Sequence, residues 1–192
     1  MTPDFPNSTM EVSLSPAKCR ENAAASELEE QVIALFDQLR ARLLRYALSI
    51  GLTSADGEEI IQEAFLSLFQ HVQQGRSRHN LQGWLFRVVH NLALKRVSRN
   101  KRCGCTVGLD GSLAESHLDS RPNPEEQASF SQRQTRLLAV LRALPAQDQH
   151  CLRLRAEGLR YREIAEVLGM SLGSISASLA RSLARLGRAD GR

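Results

Sequence analysis

Ser174, Ala177, Ser178, Arg181 and Arg185 fall on one side of a helix of period 3.6, short near its start and cationic further along. Side chains of that kind suit one sort of chemistry. A helix seated by its other face can lie in a DNA major groove, where hydroxyls and arginines reach phosphates and base edges. The seat here is Leu172, Ile175, Leu179, Leu183 and Leu186. Just upstream, Tyr161, Ile164, Ala165 and Leu168 recur at i, i+3, i+4 and i+7, with Arg160 and Arg162 where that pattern begins. Gly169 supplies a left-handed cap between the two patterns, and Ser171 an N-cap for the second. The spacing predicts a helix-turn-helix. Two amphipathic helices around a glycine also occur in bundles that never meet DNA, so this stretch does not decide the matter alone.

Two other charged constellations stand earlier in the chain. A helix over residues 56–69 sets Asp56, Glu58, Glu59 and Glu63, with Gln62 among them, opposite Ile60, Ile61, Ala64, Phe65, Leu68 and Phe69. No Lys or Arg occurs between Tyr46 and Gly75. The helix dipole stabilises first-turn carboxylates by about 0.3–1 kcal/mol each, which explains part of the crowding. The remainder is a negative surface suited to a basic partner. A polar break follows, QQGRSRHN, and then a helix over residues 81–98. Residues 84–102 carry six cations, Arg87, Lys95, Arg96, Arg99, Lys101 and Arg102, and no acid. That is more than a helix C-terminus requires, and it reads as a nucleic-acid surface. Trp84, beside Leu85 and Val88, reads as core rather than as a stacking platform.

Catalytic patterns do not emerge. There is no phosphate-binding glycine loop, no acid and base at a persuasive spacing and no nucleophile elbow. Cys103-Gly104-Cys105, with His90 and His117 elsewhere, lacks an ordinary zinc spacing. The expectation is no catalytic residue, no metal and no cofactor. The two linker thiols beside Lys101 and Arg102 suit a redox role, whereas Cys151 falls on an apolar stripe.

These surfaces need helices to hold them. The chain has 192 residues, 42% hydrophobic but only 5% aromatic, with a net charge of +4 unevenly spread. A helical run begins near Glu27 with Leu28, Val32, Leu35, Phe36, Leu39 and Leu43, where Ser26 and Glu29 form a candidate capping box. Thr53 or Ser54 can cap the acidic helix. Residues 130–144 and 146–157 are helical, separated at Pro145. The fold class is therefore all-α: two small helical bundles joined by a flexible linker. The expected divisions are a disordered tail over 1–26, a first bundle over 27–102, a linker over 103–127 and a helix-turn-helix bundle over 128–187. Such a linker reaches roughly 30 Å on average. No apolar run long enough for a membrane span and no signal-peptide pattern occur, so a cytoplasmic location is expected.

Taken together, SADGEEIIQEAFLSLFQHV, LQGWLFRVVHNLALKRVSRNKR and LPAQDQHCLRLRAEGLRYREIAEVLGMSLGSISASLARSLARL resemble an extracytoplasmic-function sigma factor of bacterial RNA polymerase. The resemblance implies a sigma region 2-like bundle followed by a region 4-like helix-turn-helix bundle. It implies polymerase-core binding, on the clamp of the largest subunit, by Asp56, Glu59, Gln62, Glu63 and Phe65, with the flap as a second contact. It implies that Arg76, Arg78, His79 and Asn80 hold flipped bases of the −10 element while Arg87, Asn91, Lys95 and Arg96 track the strand. Arg160, Arg162, Ser171, Ser174, Ala177, Ser178, Arg181 and Arg185 would meet the −35 element. Promoter DNA and the polymerase core are the implied partners, and an anti-sigma factor is a further candidate. Relatives often open the recognition helix with a Thr-Val-Lys-Ser-Arg-Leu kind of run. Here it is Ser174-Ile175-Ser176-Ala177-Ser178-Leu179, which predicts weaker or differently specified −35 binding. Off the promoter, the bundles are expected to pack together or tumble loosely. The alternative reading is a helix-turn-helix regulator acting without the polymerase core.

Overall fold

The computed structural model describes residues 16–103 and 124–190, with side chains over 30–103 and 131–190. Seven helices occupy these residues: α1 (Pro16–Ile50), α2 (Ser54–Gln73), α3 (Leu81–Arg102), α4 (Pro124–Arg142), α5 (Ala146–Ala156), α6 (Tyr161–Leu168) and α7 (Leu172–Ala189). The helix α1 begins at Pro16, well before Glu27, so Ser26 lies within it rather than capping its start. The helix α4 likewise begins at Pro124, inside the stretch expected to be linker. Polar residues continue both helices because nothing in them breaks the backbone ladder, although no apolar stripe announces them. The rest of the expected tail and linker lies outside the described residues.

Local chemistry sets the other ends. Thr53 caps α2 by accepting from the Asp56 amide at 3.0 Å. Asn80 caps α3 from a left-handed conformation (φ 54°) and accepts from the Gly83 amide at 3.1 Å. Gly169 closes α6 at φ 65°, and Ser171 caps α7 by accepting from the Ser174 amide at 3.1 Å. The axes of α6 and α7 bend by 106°, within the range of a helix-turn-helix.

The first bundle packs Leu39, Leu43, Tyr46 and Ala47 of α1 against Ile60, Ile61, Ala64 and Leu68 of α2 and Leu85, Phe86 and Val89 of α3. The second packs Cys151 and Leu154 of α5, Ile164 and Val167 of α6, and Ile175 and Leu179 of α7. These two sets form one continuous cluster, because α6 lies on α3 and α1 reaches α5. Polar contacts reinforce the seam. Tyr46 and His90 share a hydrogen bond at 2.8 Å, and the His90 ring meets His150 edge-on at 5.1 Å. Arg42 donates to the Glu157 carbonyl and lies 5.6 Å from the Phe86 ring centre. Of the two expected arrangements the packed one is present.

Candidate nucleic-acid interface

The acidic helix is less bare than its sequence suggests. Asp56 accepts from Arg96 at 2.5 Å and from Asn100 at 3.2 Å, and Arg96 also pairs with Glu59 at 2.9 Å. Arg40 of α1 pairs with Glu58 at 2.6 Å. Burial pushes the Asp56 carboxyl up, but hydrogen bonds from Asn100, Thr53 and Arg96 outweigh it and hold the group below its ordinary range. The hydrogen bond from Arg96 lowers Glu59 similarly. The compensating cations come from α1 and α3, which is why a scan along α2 alone finds none. What stays open is Gln62, Glu63 and Leu66, the last 65% exposed. Phe65 is buried against the Phe36 ring at 4.9 Å, so it supports this face from behind. Leu66 escaped the sequence reading. Its position three after Glu63 and four after Gln62 is the signal that marks it.

The basic helix divides into two sides. Arg87, Asn91 and Lys95 are exposed and recur every four residues, one stripe along α3. Arg96 points elsewhere, its side chain only 17% exposed between Asp56 and Glu59. A cation expected on the strand path is thus a strut between α2 and α3. In the preceding loop Arg76, Arg78 and His79 are exposed, with Arg78 donating to Gln31 at 3.3 Å. Asn80 is engaged on both ends: its oxygen caps α3, and its amide donates to Glu166 of α6 at 3.3 Å. Trp84 is half-buried on the His71 ring at 4.9 Å.

In the helix-turn-helix, Arg160 and Arg162 are exposed at the start of α6, where Glu163 accepts from the Arg160 amide at 2.6 Å. Ser171, Ser174, Ala177, Arg181 and Arg185 form an open face on α7. Ser178 does not belong to it. It is 1% exposed, and its hydroxyl donates to Asp148 of α5 at 2.5 Å. Ser182 is buried too, whereas Leu172 and Leu183 are about half exposed. The helix is therefore rolled from the expected all-leucine seat towards Ile175, Ser178, Leu179 and Ser182. A buried hydroxyl is tolerated when a neighbouring helix offers an acceptor, and Asp148 is invisible to any periodicity within α7.

The packing brings part of this surface together. Arg78, Asn80 and Gln82 from the loop and α3 face Arg160 and Glu163 across an open cleft of about 610 Å³. The exposed stripe of α3 and the open face of α7 lie outside it. Among the described residues no three His, Cys, Asp or Glu side chains form a metal-binding group. Cys103 is exposed; Cys151 is buried, and burial pushes its thiol up. Cys105 and His117 lie outside the described residues.

Comparison with known proteins places this geometry. The sigma-70 region 2 family matches residues 35–103, and the sigma-70 region 4 family matches residues 134–186. The chain is 32% identical over 149 residues to the ECF RNA polymerase sigma factor SigE of Mycolicibacterium smegmatis, covering 76% of this chain and 56% of that protein. It therefore spans little more than half of that relative. It is 27% identical over 160 residues to the ECF RNA polymerase sigma factor EcfG of Rhodopseudomonas palustris, covering 83% and 82% of the two chains. The solved structure of CnrH in complex with the cytosolic domain of CnrY shares the fold, with a TM-score of 0.57 at 18% identity over 87% of this chain and 92% of that one. With both regions matched in order and the helix-turn-helix in place, the chain belongs to the sigma-70 family of RNA polymerase sigma factors, in its extracytoplasmic-function branch.

Proposed function

We propose that this protein directs promoter-specific transcription initiation by joining the RNA polymerase core and recognising and melting promoter DNA. It performs no bond chemistry itself. Docking uses the open face of α2, Gln62 and Glu63 with Leu66, and at its edge the exposed Glu59 that Arg96 holds in place, against the clamp of the largest subunit. The loop residues Arg76, Arg78 and His79 receive unstacked −10 bases, and Arg87, Asn91 and Lys95 guide the single strand. Capturing bases as they leave the duplex offsets an unstacking cost of a few kcal/mol. Arg160, Arg162 and the open face of α7 read the −35 duplex. The protein works where the polymerase is, in the cytoplasm; among the described residues no single helix is long and apolar enough to cross a membrane.

The observation that carries this reading is the stripe Arg87, Asn91 and Lys95, exposed on a helix whose neighbouring Arg96 is committed to the acids of α2. A helix built only to be a scaffold has no reason to sort its charges in that way. Run-off transcription with purified core polymerase on fragments of the source genome tests it. Defined transcripts that appear only when the chain is added support the assignment; a chain that never joins the core ends it.

A further inference from the structure

Three of the four polar side chains buried among the described residues, Asp148, Ser178 and Ser182, belong to α5 and α7. Asp148 is 8% exposed, and a carboxylate so placed is costly unless it is paired and hydrogen-bonded. Three supports converge on it. It sits in the first turn of α5, where the helix dipole favours negative charge. It accepts from the Ser178 hydroxyl at 2.5 Å. It lies 3.8 Å from the guanidinium of Arg181, whose side chain remains 61% exposed. Ser178 and Arg181 are three residues apart on α7, so one carboxylate holds that helix on its seated side and at the edge of its open face.

Ile175 and Leu179 bury α7, but apolar contact is non-directional and permits a small roll. A hydrogen bond has a narrow angular range and does not. We propose that Asp148 is a positioning residue for −35 recognition: through Ser178 it fixes the roll of α7, and through its charge it draws Arg181 to the place from which that side chain meets DNA. The inference rests on the promoter-reading role proposed above. Ser178 then contributes to recognition from inside the protein, where the open-face serines do so directly. This departs from the expected cation at that position by replacing a DNA contact with an internal brace.

The test uses the reconstituted holoenzyme and a promoter recovered by run-off mapping, beside the same fragment with its −35 element scrambled. The quantity read is the ratio of affinities for the two fragments. Ser178→Ala is expected to reduce this ratio roughly tenfold, the scale of a hydrogen bond to a charged group. Ser178→Thr, which keeps the hydroxyl, restores most of it. Asp148→Asn retains an acceptor but removes the charge, so adding Arg181→Ala to it lowers the ratio less than Arg181→Ala does in the unaltered chain. A ratio unchanged in Ser178→Ala and Asp148→Asn overturns the inference, as does an equal loss of affinity for both fragments, which is what simple destabilisation produces. Unaltered holoenzyme that binds both fragments alike removes the −35 reading itself, and this inference with it.

Discussion

Glu157 at the end of α5 pairs with Arg45 of α1 at 3.0 Å, across the seam between the two bundles. Arg42 donates to the backbone carbonyl of the same residue. One carboxylate and one carbonyl thus gather two arginines from the first bundle. Glu157→Lys places a third cation among them and is expected to open the packed form. Small-angle scattering from the free protein should show a larger radius of gyration with unchanged helix content by circular dichroism. An unchanged scattering curve would show that the apolar contacts alone hold the bundles together.

The same seam is expected to weaken in acid. Burial, then the neighbouring His150, pushes His90 down to about 4, and burial lowers His150 as well. Tyr46 and His150 face the His90 ring, and Arg153 adds positive charge near His150. When the seam opens His90 returns toward its ordinary value near 6.5, so the open form binds the extra proton. The contribution to packing is complete above about 6.5 and is lost as the pH falls towards 4. Scattering between pH 7.5 and 5 checks this, and His90→Gln should flatten the dependence.

Arg96 and its neighbours on α3 are expected to separate in mutagenesis. Arg96→Ala removes the strut to Asp56 and Glu59 and should lower the melting temperature by roughly 3 °C. Arg87→Ala and Lys95→Ala should leave the melting temperature unchanged. Each should instead reduce the salt dependence of open-complex formation, by about 0.7 per lost phosphate contact on a single strand. Equal thermal effects from all three would contradict this division of the helix.

Gly83→Ala should be poorly tolerated although alanine is a better helix former. A Cβ at that position would lie 2.5 Å from Nδ2 of Asn80, inside the cap itself. Displacing the cap costs about 1 kcal/mol and releases the loop that carries Arg78 and His79. Thermal unfolding and permanganate footprinting of the melted promoter together report both effects.

Helix positions, apart from the starts of α1 and α4 that no apolar stripe marks, and the turn at Gly169 and Ser171 are legible in the sequence because each rests on short-range rules, an apolar period or a cap within four residues. The errors among the site residues share a different cause. Arg96, Asn80 and Ser178 each look free along their own element, and each is claimed by a residue far away in the chain: Asp56, Glu166 and Asp148. Charge and polarity patterns show which side chains can reach DNA, but the neighbouring helices decide which are left to do so. The roll of α7 is the clearest instance. Leucines and serines alternate along it so evenly that only the acceptor on α5 distinguishes inside from outside.

The single cluster that runs from α1 through α3 into α6 has an evolutionary and practical corollary. The C-terminal helices are not a detachable part, because α6 lies on α3. In this protein a transplanted C-terminal half would also bring a foreign wall to a cavity the N-terminal half expects to share. Chimaeras should therefore succeed when α6 and the facing side of α3 travel together, and fit badly when the cut passes between them.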